Sequence, residues 1–213
     1  MAKKLPTIWP IEPHTKAKHE ILRRYWQAWL PIISTRGGRV LYIDGFAGPG
    51  KYAGSEDGSP LVVLKSACNH IARPTSEVVF AFIEEDKARF DSLEGALEEI
   101  KPTLPQNFKV YADHGVFNDQ MTNIFNHLDQ QGARMAPSLV FVDPFGFAQT
   151  PFRTVERIMR TPHCEVLVTL SARIQKRRNL NRSRWDAIMV RQRPARESIS
   201  PVERNPLRAL HAH

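Results

Sequence analysis

Four acidic residues stand where apolar runs end. Asp44 follows Val40-Leu41-Tyr42-Ile43, and Glu84 follows Val78-Val79-Phe80-Ala81-Phe82-Ile83. Asp113 lies just past Phe108-Lys109-Val110-Tyr111, and Asp143 follows Leu139-Val140-Phe141-Val142. One such acid is commonplace as a helix cap or turn residue. Four in succession, the first leading into a glycine loop, point to a ligand-binding edge. The loop reads Asp44-Gly45-Phe46-Ala47-Gly48-Pro49-Gly50-Lys51-Tyr52-Ala53. Its glycines allow backbone to approach a ligand closely. Two nucleotide templates fit it in part. Gly45 to Lys51 has the GxxxxGK spacing of a phosphate loop, but Tyr52 stands where a Ser or Thr hydroxyl should hold magnesium. Asp44 would also set a carboxylate beside the polyphosphate. Gly48 to Ala53 gives GxGxxA, a dinucleotide fingerprint with Glu84 as its ribose acid. Its 36-residue spacing exceeds the usual ~20.

Asp143-Pro144-Phe145-Gly146 suggests other chemistry. A carboxylate and a backbone carbonyl beside proline can accept both hydrogens of an amino group. That aims the nitrogen lone pair, and positioning is a large part of an in-line transfer. Phe145 could stack on a planar base. The plain alternative is a turn, since Asp-Pro with a nearby glycine is common in loops.

The elements that must position these residues can be read from periodicity. Thr15 can cap a helix to about Ile33, with Ile21, Leu22, Tyr25, Trp26, Trp29 and Leu30 at helical spacing. Its aromatic stripe reads as core, and Lys16, Lys18, Arg23 and Arg24 as a solvated face. His14 and His19 share no face well. Strands are expected over 39–44, 78–83, 108–111, 138–142 and 165–170. Helices are expected over 59–71, 87–100, 116–128 and 151–160. Continuous apolar strands alternating with helices predict an α/β fold, with a parallel sheet covered on both faces. In such sheets ligands bind beyond the carboxyl ends of the strands, at the switch in strand order.

The chain has 213 residues, 42% hydrophobic, which suffices for one domain with a sizeable core. No run of eighteen apolar residues is present, so no membrane span is expected. Met1 to Pro6 leads into no apolar run, so no signal peptide is expected. Cys68 and Cys164 read as reduced thiols of a cytoplasmic protein. No HExxH and no Cys/His cluster occurs, so no metal is expected. The formal charge of +8 is unevenly placed. Residues 1–168 carry 19 basic and 19 acidic residues, and residues 169–213 carry 11 and 3. The main body therefore has no basic footprint for a nucleic acid. Three segments are expected: an irregular arm over 1–13, the α/β domain over 14–170, and an Arg-rich tail over 171–213. The tail reads as disordered, as frame-changed, or as an arginine-rich segment that folds on RNA.

Asp44-Gly45-Phe46-Ala47-Gly48-Pro49-Gly50 resembles motif I of class I S-adenosylmethionine-dependent methyltransferases, in its D-x-F-A-G-x-G form. Ile83-Glu84-Glu85-Asp86 resembles motif II, and Asp143-Pro144-Phe145-Gly146 resembles motif IV of amino-methylating enzymes. More narrowly, the chain resembles the bacterial three-Cys-motif partner proteins (TcmP). The residues carrying this are His14 to Leu22, Tyr42 to Gly50, Gly58-Ser59-Pro60-Leu61, and Phe141 to Phe147. The resemblance covers about 10–170. It implies a Rossmann-like, doubly wound parallel sheet with an N-terminal helix. Because it ends near Val168, the C-terminal part of that sheet is expected to be missing. It implies S-adenosylmethionine as cofactor, held by Asp44, Gly45, Phe46, Ala47, Gly48, Gly50 and Glu84, with Asp113 near the adenine. Asp143, Pro144 and Phe145 would position a nucleic-acid or nucleobase amino group. The implied partner is a three-Cys-motif protein of the phage Gp37/Gp68 type. A non-catalytic partner that keeps the fold is the alternative, and a phosphate-loop-like nucleotide binder is a further one.

Overall fold

A computed structural model describes residues 6–35, 37–70, 74–144 and 150–169. Its elements run α1 (Pro13–Ser34), β1 (Arg39–Asp44), α2 (Ser59–Cys68), β2 (Glu77–Glu84), α3 (Lys87–Ile100), β3 (Phe108–His114), α4 (Phe117–Gln130), β4 (Ser138–Val142), α5 (Phe152–Arg160) and β5 (Cys164–Val168). The five strands form one all-parallel sheet in the order β3-β2-β1-β4-β5. The protein is α/β. The chain moves outward from β1 to β3, then returns to lay β4 against the other side of β1. The switch in strand order therefore falls between β1 and β4.

Alternate strand residues face opposite sides, as the two-residue pleat requires. On one face Val40, Tyr42, Val78 and Phe80 pack with Leu22 and Trp26 of α1, Leu64 of α2, and Leu93 and Leu97 of α3. On the other, Ile43, Ile83, Val140 and Val142 pack with Phe117, Met121 and Phe125 of α4 and Ile158 of α5. All five residues of β4 are buried, consistent with a central strand covered on both faces. Trp26 is the hub of the first face. It is fully buried, with its ring 5.2 Å from Tyr42 and 5.8 Å from Phe80.

α1 departs from the sequence expectation at its start. Glu12 occupies the N-cap and Pro13 the first turn, so Thr15 lies inside the helix and caps nothing. Proline's fixed φ and missing N–H suit that first turn. Ile21 and Tyr25 also leave the expected apolar face and are exposed. The buried stripe is His19, Leu22, Trp26, Trp29 and Leu30. α2 ends at Cys68, short of the expected Ile71: Asn69 is its C-cap and His70 is already outside the helix. Ile71, Leu170 and the expected tail over 171–213 lie outside the described residues. No helix among the described residues is long and apolar enough to cross a membrane.

Trp26→Ala should cost ~3–5 kcal/mol, the usual range for a fully buried tryptophan. The check is a urea-unfolding midpoint that falls at unchanged slope.

Candidate functional site

The carboxyl ends of β1, β2 and β4 bring three of the four predicted acids together. Asp44 is the last residue of β1 and Glu84 the last of β2; Asp143 follows β4 by one residue. In register, Asp44 lies level with Phe82 on β2 and Phe141 on β4. Glu84 and Asp143 thus stand two residues further toward the sheet edge, roughly 6.6 Å at the strand rise. Asp44 is recessed and completely buried. Asp44 and Asp143 flank the switch point, where an open α/β sheet has its crevice.

The glycine loop is tied to all three central strands. The Gly45 N–H donates to the Phe141 carbonyl at 2.9 Å, and the Ala47 N–H to the Ile83 carbonyl at 3.0 Å. The Phe46 N–H donates to Asp44 Oδ1 at 3.1 Å. The Gly48 N–H donates to Glu84 Oε2 at 2.9 Å. Gly48 reaches that geometry with φ at +67°, a region that L side chains enter at a cost of ~1–2 kcal/mol. A Cβ on Gly45 would come within 2.5 Å of the Phe117 ring. The Gly50 carbonyl accepts from the Gly58 N–H at 2.7 Å, which closes the excursion between loop and α2.

Glu84 takes three donors from the protein and keeps acceptor capacity on Oε2. Its Oε1 accepts from the Asp86 N–H at 2.9 Å and pairs with the Arg89 guanidinium at 3.0 Å. Each carboxylate oxygen can take more than one donor. A cavity of about 250 Å³ opens beside it, lined by Gly45, Phe46, Glu84, Arg89, Val116 and Phe117 among others. That is close to the lower end of the ~300–1,000 Å³ usual for small-molecule pockets. Phe46 and Phe117 lie 5.6 Å apart, centroid to centroid, on its wall. Asp113 is not among the lining residues. β3 runs on to His114, so Asp113 sits inside the edge strand and is exposed, while the following turn, Gly115 to Phe117, takes the place beside the cavity.

Asp143 is held by residues that the sequence pattern did not single out. Its Oδ1 accepts from the Lys18 ammonium at 2.6 Å and from the Thr169 hydroxyl just past β5. Lys18 is not on a solvated face as expected; its side chain is only 18% exposed. His19 beside it is buried, and burial pushes its imidazole down to about 4 against the opposing pull of Asp143. Its ring lies 5.9 Å from Tyr52, and Tyr52 packs edge-on against Trp9 at 5.5 Å. Burial raises the Tyr52 phenol to about 12, with Asp143 and Asp44 adding to the shift. His19 had a readable signal, since it continues the Leu22, Trp26, Trp29 spacing. Lys18 and Thr169 had none. Pro144 is buried, and Phe145 lies outside the described residues.

The three acids differ in their counter-charges. Glu84 has Arg89 and Asp143 has Lys18. Asp44 has hydrogen bonds from the Phe46 N–H, the Ser59 hydroxyl and the Tyr42 phenol, but no cation among the described residues. Burial raises its carboxyl to about 7, with Asp143 and Glu84 pushing the same way.

The loop does not continue as a phosphate loop would. α2 begins at Ser59, eight residues after Lys51, and Lys51 instead donates to Glu99 on α3. An excursion thus separates loop from helix along the chain, and the Gly58 N–H at the N-cap of α2 is spent on the Gly50 carbonyl. No protein-family model and no curated protein sequence matches the chain.

A carboxyl raised from 3.8 to about 7 on folding contributes stability that is full below pH 3.8 and is lost as the pH climbs through 7. Asp44→Asn should therefore gain on the parent between pH 4 and pH 8, by up to about 4 kcal/mol. Urea-unfolding free energies of both proteins at the two pH values decide it. A difference that stays constant would show that Asp44 ionises in the fold without penalty.

Proposed function

We propose that this protein binds S-adenosylmethionine at the carboxyl edge of β1 and β2 and is a methyltransferase-like protein of the three-Cys-motif partner type. The observation that carries the reading is Asp44, a fully buried carboxylate with no cation among the described residues. It sits directly behind a glycine loop that closes on Glu84. A buried acid without a counter-charge is poorly placed beside a polyphosphate and well placed beside a cation. S-adenosylmethionine carries two cationic groups, a sulfonium and an ammonium. Glu84 would accept its ribose hydroxyls, and the aromatic-walled cavity would take the adenine. Gly45, Phe46, Ala47, Gly48 and Gly50 would form the backbone rim. The strand order and the covering of both sheet faces support a Rossmann-like, doubly wound fold.

In this reading Asp143 and the Pro144 backbone receive the acceptor's amino group at the switch point. The acceptor is a nucleic-acid or nucleobase nitrogen. Lys18 would fix the rotamer of Asp143 through Oδ1 and leave Oδ2 for the acceptor. The same contact supports the second reading, a non-catalytic partner of a three-Cys-motif protein. Asp143 Oδ1 already has two donors from its own chain, and residues 1–168 carry no net positive charge to draw a nucleic acid.

Titration calorimetry with S-adenosylmethionine, with ATP and NAD as controls, tests the cofactor. Saturable binding of S-adenosylmethionine alone is expected, weakened at least tenfold in Glu84→Ala. Methyl-labelled S-adenosylmethionine with bulk tRNA, DNA and nucleobases then separates the two readings. An enzyme should label an acceptor and lose the labelling in Asp143→Ala at unchanged cofactor affinity. Cofactor binding without labelling of any acceptor would favour the partner.

A further inference from the structure

β3 stands at one edge of the sheet, with no strand beside it among the described residues. The parallel register fixes which backbone groups it presents there. The Val78 N–H donates to the Asn107 carbonyl and the Gly115 N–H to the Glu84 carbonyl, so the odd-numbered residues of β3 face β2. The N–H and C=O groups of Val110 and Ala112 therefore point outward from the sheet. Side chains alternate across the same strand. Phe108, Val110 and Ala112 pack on the face that α3 covers. Lys109, Tyr111 and Asp113 lie on the opposite face and are exposed, Tyr111 by 58%. Lys109 donates to the Gln106 carbonyl at 3.1 Å, and neither Lys109 nor Asp113 has an oppositely charged partner among the described residues. Four residues apart on one strand, they stand roughly 13 Å from each other and cannot pair. An open groove of about 660 Å³ runs beside this edge, lined by Leu104, Pro105, Phe108, Val110 and Tyr111 among others. An unpaired edge of this kind is a template for another strand.

We propose that the β3 edge is a homodimer interface, where a second copy of this chain adds antiparallel to β3 about a two-fold axis at Tyr111. A two-fold contact needs a surface complementary to itself, and β3 meets that condition. Antiparallel pairing about residue 111 sets Lys109 opposite the second copy's Asp113, and Asp113 opposite its Lys109. Tyr111 meets its own copy on the axis. These are the non-hydrogen-bonded pairs, whose Cα atoms approach to ~4.5 Å and whose side chains touch. Val110 and Ala112 form the hydrogen-bonded pairs. Each Val110 N–H donates to the other copy's Ala112 carbonyl, and each Ala112 N–H to its Val110 carbonyl. The charges also pin the register. A slip of two residues breaks both ion pairs, and a slip of four sets Lys109 against Lys109 or Asp113 against Asp113. The interface thus uses the strand's outward backbone groups and its two unpaired charges together. It is independent of the cofactor reading, since Asp113 does not line the cavity beside Glu84.

Sedimentation velocity of the full chain over a range of concentrations tests it. A monomer–dimer equilibrium is expected with Kd of about 10–100 μM, the weak range of so small an interface. Lys109→Asp and Asp113→Lys each set like charges against each other at both crossings, and each should weaken dimerisation about tenfold or more. An equimolar mixture of these two variants regains both ion pairs in the heterodimer. It should dimerise about as tightly as the parent although neither variant does so alone. Ala112→Pro removes an outward N–H without touching the ladder to β2, and should abolish the dimer. A parent chain that stays monomeric up to about 1 mM would overturn the inference. So would a dimer that these variants leave unchanged, which must use another face, and so would a mixture no tighter than its components. Should a single charge variant fail to fold, Ala112→Pro and the double variant Lys109→Asp with Asp113→Lys, which pairs the same charges in reverse, decide.

Discussion

The Glu84 carboxylate organises this end of the molecule. One group receives the Gly48 N–H from the loop after β1, the Asp86 N–H from the turn into α3, and the Arg89 guanidinium from α3 itself. Three pieces of chain meet at one buried acid. Asp86 in turn caps α3 by accepting the Ala88 and Arg89 N–H groups. The same few residues therefore start a helix, finish a strand and hold the glycine loop open toward the cavity. Buried polar groups are costly unless satisfied, and a network satisfied at every member is rigid. Phe46 and Phe117 close the cavity's far side, and Gly45 has no Cβ because Phe117 occupies that space.

Against that satisfied acid, Asp44 stands out. Sheet register recesses it by two residues relative to Glu84 and Asp143, and it is completely buried. Among the described residues, two cations, Lys18 and Arg89, serve the three acids. Stability alone would favour an apolar or amide residue at the end of β1. A carboxylate held there at the expense of stability is the pattern expected of a functional site. Asp143 shows a different compromise. It is anchored through Oδ1 by Lys18 and Thr169, two residues from opposite ends of the described chain, while its position at the switch point keeps it facing the crevice.

Much of this was legible beforehand. The apolar runs of β1, β2 and β4 became central parallel strands because strands covered on both faces need no alternation, whereas β3 at the edge alternates between partly buried and exposed residues. α3 runs over Lys87–Ile100, as its periodicity predicted. Asp44 and Glu84 were legible as strand-end acids because each directly follows an apolar run, and both close their strands. The N-terminus of α1 was misjudged because Pro13 starts the helix two residues before Thr15 could. Asp113 lies inside β3 rather than past its end because this edge strand runs three residues beyond the expected Tyr111, to His114.

The amino-acid sequence by itself determined the α/β class, the order of elements, the glycine loop and the identity of the strand-end acids, all of which follow from local spacing and hydrophobic period. Tertiary structure alone decided which acids meet and what charge each one faces. Lys18 reads as a surface lysine until α1 packs across the sheet and brings its ammonium 2.6 Å from Asp143, 125 positions away in the chain. Arg89 reads as an ordinary helix residue until α3 turns it onto Glu84. Asp44 reads like any acid after a strand until register buries it and the cations described near it, Lys18 and Arg89, prove to be paired with Asp143 and Glu84. Charge balance in a low-dielectric interior depends on distances in space, which spacing along a chain does not encode.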